Sequence, residues 1–373
     1  MSLGSELNAA AQDELAAWLR LLVTPGVGRA LSRRMLAAYG SASAMFRGST
    51  ATRRELAGAA AAFALAKAPQ QWPDLVRASL DWLAADRARR IVTLGDPDYP
   101  DDLLNTSDPP LLLYLQGRVE LLKGPGVAIV GSRSPTAQGR DNAHAFAAEL
   151  GRSGLVVVSG LARGIDGAAH EGALSVAAGT VAVVGTGLDS VYPLSHRKLA
   201  DRIATQGLMV SEFPLGTPPL QQNFPMRNRV IAGISRATLV VEAAIRSGSL
   251  STARMAAEAG REVMAVPGSI HSPQSRGCHA LIRQGAKLVE TAADVLEELH
   301  RPDFAAGSGA EGDSPSSDDP VLVAMGHDPV TLDAMLDRTG MAIADLQVRL
   351  MTLELEGQAA RLPGGLYQRR SAA

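Results

Sequence analysis

Cysteine is almost missing from this chain. Cys278 is the single one in 373 residues, which excludes an intrachain disulfide framework. With only seven scattered histidines, it also argues against a cysteine-rich zinc site. No structural metal and no cofactor are expected, and the thiol usage suits a reducing cytoplasm. Long apolar runs are missing too. No stretch of about eighteen apolar residues free of charge occurs, and the N-terminal segment lacks a basic region followed by an uninterrupted apolar one, so neither a membrane span nor a signal peptide is expected. Net charge is small as well: 36 Lys and Arg against 38 Asp and Glu leave a formal −2. A nucleic-acid partner would therefore have to be met by local positive potential. What the chain does have is apolar mass. With 46% hydrophobic residues it can bury a large core, and its length points to two or three domains.

Residues 10–85, within a helical domain expected over 1–88, are Ala/Leu/Arg-rich with helical spacing at Leu15, Leu19 and Leu22, and again at Leu31, Met35 and Leu36. Between them Pro25-Gly26-Val27-Gly28 forms a turn. It reads either as a helix-hairpin-helix, whose glycine amides meet a DNA backbone, or as a plain turn packing two helices; Arg29, Arg33 and Arg34 favour the former. After Arg90 the texture changes to short apolar runs, each followed by glycines and an Ala-rich helical stretch. That is the rhythm of a parallel sheet with crossover helices. Strands are expected at Val127 to Val130, Leu155 to Ser159, Thr180 to Val184, Leu208 to Ser211, Thr238 to Glu242 and Glu262 to Val266, since β-branched runs of this kind suit burial on both faces. Residues 301–319 are polar and read as a flexible linker. Beyond them, two helical stripes (Val330, Leu332, Met335, Leu336, then Ile343, Leu346, Val348, Leu350, Leu353, Leu355) and a hairpin turning at Pro363-Gly364-Gly365 have the layout of a winged helix. The fold class is thus α/β: an extended Rossmann-like parallel-sheet domain (89–300), an all-helical domain before it and a winged-helix domain (320–373) after it.

In an open parallel sheet, ligands bind outside the carboxyl ends of the strands, where helix N-termini offer free N–H groups. Four strand ends carry suitable residues: Gly131-Ser132-Arg133; Ser159-Gly160, with Arg163 and Gly164; Gly185 and Gly187; and Ser247-Gly248-Ser249. Singly, a glycine after a strand serves a turn. Four on one sheet edge, three of them with Ser or Thr donors, favour an anion-binding crevice. The stretch Asn223-Phe224-Pro225-Met226-Arg227-Asn228-Arg229 adds guanidinium and amide donors for phosphates and a ring on which a base can stack. Phe224 reads equally as plain core. Asp166 and His170 stand one helical turn apart, but no third ligand lies nearby. Asp166 reads as a helix cap and His170 as a structural hydrogen-bonding group.

Together, Gly95-Asp96-Pro97-Asp98-Tyr99-Pro100, Val130-Gly131-Ser132-Arg133, Ser159-Gly160-Leu161-Ala162-Arg163-Gly164-Ile165-Asp166 with His170, Phe224-Pro225-Met226-Arg227-Asn228-Arg229, Ser247-Gly248-Ser249-Leu250 and Val266-Pro267-Gly268 make the sequence resemble the DNA-processing protein A (DprA, or Smf) family. The match runs over roughly 91–298. The resemblance implies an extended Rossmann domain that binds single-stranded DNA, forms homodimers and helps load the RecA recombinase in natural transformation, without covalent catalysis. It also implies a sterile-alpha-motif-like helical domain in front and a winged helix behind. The family's DNA pocket is lined by the arginine matching Arg133 and by the segment matching Phe224 to Arg229. The family lysine that usually precedes the phenylalanine is absent, with Gln221 and Gln222 in its place, and this shifts the expected grip towards Arg133, Arg227 and Arg229. The family's dimer helix corresponds to Cys278 to Gln284.

Two other readings stay open. A nucleotide phosphoribohydrolase-like enzyme would use the same kind of domain, but its Pro-Gly-Gly turn and glutamate are missing around Arg246 to Arg254. Neither the dinucleotide-binding glycine pattern nor the Walker lysine motif is present. Double-stranded DNA is a candidate partner of the winged helix, whose wing carries Arg361, Arg369 and Arg370 as cations but is preceded by Glu354 and Glu356, and a protein-contact role for this domain stands equally open.

Overall fold

A computed structural model of the chain describes residues 8–299, 319–326, 328–362 and 364–370. The expected linker, apart from Asp319, lies outside the described residues.

The chain starts with six helices: α1 (Ala9–Val23), α2 (Arg29–Tyr39), α3 (Ala42–Arg47), α4 (Thr50–Ala57), α5 (Ala59–Ala66) and α6 (Trp72–Ala85). Side-chain caps set several of the starts. Asn8, Ser41 and Ser49 each accept a hydrogen bond from a backbone N–H of the first turn, satisfying a donor that the helix itself leaves orphaned. α2 stops where Gly40 takes a left-handed φ of 77°. Leu15, Leu19, Met35, Met45 and Leu65 are fully buried between the helices, and the same apolar cluster takes in Ile91, Leu112 and Tyr114 from the neighbouring sheet. The helical part therefore shares a core with that sheet.

The sheet has nine strands: β1 (Arg89–Thr93), β2 (Leu112–Gly117), β3 (Gly126–Val130), β4 (Val156–Ser159), β5 (Thr180–Val183), β6 (Leu208–Ser211), β7 (Ala237–Val240), β8 (Glu262–Ala265) and β9 (Lys287–Leu288), in the order β1-β2-β6-β5-β4-β3-β7-β8-β9. All pairings from β6 to β9 are parallel, and β1 and β2 add an antiparallel edge. The expected strands appear close to the boundaries read from the sequence, while β1, β2 and the very short β9 were not anticipated. Successive residues point to opposite faces: Ala128, Val130, Val158 and Val240 join one apolar cluster, Val127, Ile129, Val157 and Leu239 another. Burial on both faces is what made these runs continuous rather than alternating.

The sheet's helices are α7 (Asp101–Leu104), between the antiparallel β1 and β2, then α8 (Ala137–Arg152), α9 (Ile165–Ser175), α10 (Arg197–Gln206), α11 (Asn223–Gly233), α12 (Ser249–Glu258) and α13 (Arg276–Arg283) between the parallel strands, and α14 (Ala292–Glu298) after β9. From β3 the chain runs to β4 on one side, and β7 pairs with β3 on the other. The strand order therefore reverses at β3 and β7, where a doubly wound sheet opens a crevice at its carboxyl edge.

The winged helix comprises α15 (Pro320–Met325), β10 (Val330–Thr331), α16 (Leu332–Thr339), α17 (Ile343–Leu355) and the hairpin β11 (Ala359–Leu362) with β12 (Leu366–Arg369). Asp319 caps α15 through the N–H groups of Val321 and Leu322. The domain rests on α8: Arg370 donates to both carboxylate oxygens of Asp141 at 2.8 Å, and the Gln138 N–H reaches Gln368 Oε1 at 3.4 Å. No helix among the described residues is long and apolar enough to cross a membrane.

A charged cluster ties α2 to the sheet. Glu212, just past β6 and 7% exposed, pairs with Arg229 of α11 and with Arg29 at 3.4 Å. Asp108 accepts from Arg29 at 2.7 Å and from Arg33 at 2.9 Å. Removing one partner of a buried ion pair leaves the others uncompensated. Glu212→Ala should therefore lower the unfolding free energy by about 3–5 kcal/mol, measured by urea denaturation; a loss below about 1 kcal/mol, the range of exposed pairs, would show that the cluster is solvated.

Candidate nucleic-acid interface

The crevice at the carboxyl ends of β3 and β7 encloses about 820 Å³. Of the residues nominated from the sequence, it brings together Gly131, Ser132, Arg133, Phe224, Arg227, Asn228, Ser247, Gly248 and Ser249. Arg133 is exposed, Ser132 is buried, and the Ser247 and Ser249 hydroxyls are 2.7 Å apart at the start of α12.

The other nominated residues do not line it, and most have structural work instead. Ser159 is buried and donates through Oγ to Ile129 O at 2.6 Å. Asn223 donates through Nδ2 to Gly185 O at 3.1 Å, pinning the start of α11 to the end of β5. Arg229 is turned into the cluster with Glu212 and Asp108. Arg163 is exposed but stands outside the crevice. The glycines serve neighbours rather than an incoming ligand. A Cβ at Gly160 would collide with the Arg227 guanidinium, one at Gly185 would come within 3.0 Å of the Phe224 ring, and one at Gly187 would meet Pro214 O and Asp189. Gly164 has a φ of 83° and sits directly on Ser132 O, a conformation and a distance that both require glycine.

Arg227 lies at the crevice floor. It is 4% exposed, donates to Gly160 O at 2.5 Å and to Val183 O, and reaches Asn228 Oδ1 at 3.2 Å. Beside it, Asp166 accepts from the N–H groups of Gly160 at 3.2 Å and Ala162 at 3.3 Å, so this carboxylate organises the loop between β4 and α9. Burial raises the Asp166 pKa, with Arg227 opposing that shift. His170 serves different partners. The Thr180 hydroxyl donates to Val157 O at 2.6 Å and must therefore accept from His170 Nδ1–H at 2.8 Å, which leaves Nε2 to accept from Leu161 N–H at 3.3 Å. This is a neutral imidazole in a structural role, and burial pushes its pKa down to about 3. Among the described residues no cluster of His, Cys, Asp and Glu could hold a metal ion.

The N-terminus of α8 follows the central strand, where a dinucleotide-binding domain would seat a pyrophosphate. Here that seat is filled by the chain's own Glu242. Its carboxylate accepts from Thr136 N at 2.9 Å and from Thr136 Oγ1 at 2.5 Å, and Gly139 is bare because a Cβ would overlap it. The N-terminus of α12 keeps its place on the crevice, with no side-chain cap.

The lining residues not nominated from the sequence include Arg246, Tyr192 and Gln274. Arg246 is exposed and stands one residue before Ser247, so its position was within reach. Tyr192 comes from the loop after β5, and no motif announced it. Among the described lining residues Asp166 is the one carboxylate, and no histidine, cysteine or lysine accompanies it. Exposed guanidiniums, hydroxyls, amides and two aromatic rings make a surface for an anionic, base-bearing chain.

Residues 90–300 match the family described as DNA recombination-mediator protein A, and residues 307–365 match the DprA winged helix domain. Protein Smf of Escherichia coli strain K12 is 42% identical over 309 residues, covering 80% of this chain and 82% of that protein. The chain belongs to the DNA recombination-mediator protein A family. Within it, the DNA processing protein DprA of Streptococcus pneumoniae is 49% identical over 204 residues, 55% of this chain and 72% of that one. The solved structure of DprA from that species superposes with a TM-score of 0.67 at 37% identity, covering 77% of this chain and 97% of that chain. A second structure, DNA processing protein A from Helicobacter pylori, described for its unique single-stranded DNA binding mode, superposes with a TM-score of 0.52 at 31% identity over 57% of this chain and 96% of that one.

The buried imidazole gives a pH dependence of defined sign. Above pH 6.5 His170 is neutral in folded and unfolded chains alike and contributes no pH dependence. Between 6.5 and about 3 the unfolded chain takes up a proton that the folded one refuses, so stability falls with acidification by up to about 1.4 kcal/mol per pH unit. Urea unfolding of wild type and His170→Asn from pH 7.5 to 4.5 should show the smaller acid loss in the variant. Parallel curves would mean that His170 becomes charged within the fold.

Proposed function

We propose that this protein binds single-stranded DNA in the crevice at the carboxyl ends of β3 and β7, and delivers the strand to a RecA-type recombinase without catalysing a covalent step. The observation that carries the reading is the convergence of Arg133, Arg246, Asn228 and the Ser247-Gly248-Ser249 helix start around a single opening, with aromatic rings between them. The single-stranded DNA binding described for the Helicobacter pylori relative supports it, as does the recombination-mediator description of the family. Self-association through α13 and a place in natural transformation belong to the same proposal. The rival phosphoribohydrolase reading finds no glutamate among the described residues that line the crevice.

In fluorescence anisotropy with oligo-dT, Arg133→Ala should weaken binding about ten-fold and reduce the steepness of the log–log salt dependence by about 0.7, the contribution of one phosphate on a single strand. Unchanged affinity and slope would remove Arg133 from the site. Wild type should also speed RecA filament formation on a strand already coated with single-strand-binding protein, and Arg133→Ala should not. Release of free base from nucleoside monophosphates above a denatured control would favour the enzyme instead.

A further inference from the structure

Arg163 stands outside the crevice, but it does not stand alone. The loops that follow β3, β4 and β5 are stitched together at the carboxyl edge of the sheet. Ile165 N donates to Ser132 O at 3.1 Å, and a Cβ on Gly164 would fall 2.9 Å from the Arg133 carbonyl carbon. On the other side His196 Nδ1–H donates to Leu161 O at 3.1 Å, and a Cβ on Gly167 would touch the His196 ring. These contacts bring Arg133, Arg163 and the pair Arg197 and Lys198 onto one rim, along which β3 and β5 are two strand spacings apart, about 10 Å. All four cations are exposed. Arg197 and Lys198 open α10, and Arg163 stands just before α9. Nothing in the fold rewards cations there. A helix N-terminus is the positive end of its dipole and favours acidic residues, yet the first turn of α10 holds none. The nearby carboxylates are engaged elsewhere: Glu171 with Arg202 at 2.5 Å, Asp189 with Gly216 N at 2.8 Å, and Asp166 with its own loop. Among the described residues no carboxylate, Asp201 one turn along α10 included, pairs with Arg163, Arg197 or Lys198. Side chains and dipole ends therefore add to one positive potential.

We propose that Arg163, Arg197 and Lys198 form a second phosphate-binding station, on which a DNA strand leaving the crevice past Arg133 continues across the ends of β4 and β5. This rests on the reading that the crevice holds a DNA strand. The two stations lie on different sides of the sheet. α11 and α12, which wall the crevice, pack on one face, and α8, α9 and α10 pack on the other. Arg133 belongs to both, since it lines the crevice and stands where the row of cations begins. A strand held at both stations crosses the carboxyl edge of the sheet at this residue. Phosphate contacts of this kind fix the course of a strand and carry no base information, so the second station lengthens the grip without adding a sequence requirement.

The test uses the full chain and two lengths of oligo-dT, followed by fluorescence anisotropy over a range of salt. The short one has about five nucleotides, near the smallest sites of single-strand binders, and the long one about twenty, enough to leave the crevice. The triple variant Arg163→Ala, Arg197→Ala, Lys198→Ala should bind the short strand as wild type. On the long strand it should lose about ten-fold or more in affinity at low salt, and its log–log salt slope should flatten by about 2, the sum over three phosphates. The charge-conserving triple variant Arg163→Lys, Arg197→Lys, Lys198→Arg should restore most of that slope. Unchanged affinity and slope on the long strand, equal losses on both lengths, or no rescue by the charge-conserving variant would each overturn the proposal. Arg133→Ala, run alongside, separates the failures. If it weakens both lengths while the alanine triple variant weakens neither, the second station alone is wrong; if it weakens neither, the crevice reading falls and the continuation with it.

Discussion

A guanidinium buried at the end of a parallel sheet is costly unless its donors are used, because desolvation of the charge outweighs what a single contact returns. Arg227 meets this by donating to Gly160 O and Val183 O, the carbonyl ends of β4 and β5, with Asp166 close by. The interaction fixes where α11 begins relative to the sheet, and much of the crevice depends on it. Gly160 has to be bare because the guanidinium takes the space of its Cβ. Asn223, four residues earlier, then reaches Gly185 O, and Phe224 is set against Gly185 at the crevice wall. Arg227, nominated from the sequence as a phosphate donor, thus also positions the residues around it.

Carboxylates at helix starts decide which parts of the crevice remain open to an anion. Positive dipole ends and free N–H groups attract negative charge wherever they occur. At α8 the charge comes from Glu242, and at the loop into α9 from Asp166. Both seats are occupied from within, which closes the pose a pyrophosphate takes in a dinucleotide-binding domain. The N-terminus of α12, with Arg246 and Arg133 exposed near it, has no such carboxylate. The family lysine is replaced by Gln221 and Gln222, of which Gln221 lines the crevice. The positive potential of the opening therefore rests on two arginines.

An element is legible in the sequence to the extent that its needs are local. Strands such as Val127 to Val130 and Leu208 to Ser211 could be read because burial on both faces demands continuous apolar runs. The glycines at strand ends could be read as special, but not for the right reason: Gly160 and Gly185 make room for side chains of α11, distant in sequence. Arginine was the hardest residue to place. Arg133, Arg227, Arg229 and Arg246 are chemically alike, and only the tertiary fold sends two of them to the crevice mouth, one to its floor and one to the α2 cluster. Tyr192 carried no signal because its relation to Phe224 exists only once β5 and α11 have packed together.

The winged helix sharpens the question of which DNA the molecule prefers. A groove-reading helix needs cations and hydrogen-bonding side chains on its outer face. α17 instead exposes Val348 at 68%, Met351 at 63% and Leu355 at 81%, so that Val348 and Leu355 leave the apolar stripe read from the sequence, and its Arg349 is paired with Asp319 at 2.5 Å. Asp345 and Glu354 lie on the same helix. A duplex phosphate backbone would find little attraction there. Arg133 and Arg246, exposed at the crevice of the Rossmann-like domain, are better placed to meet an anionic strand.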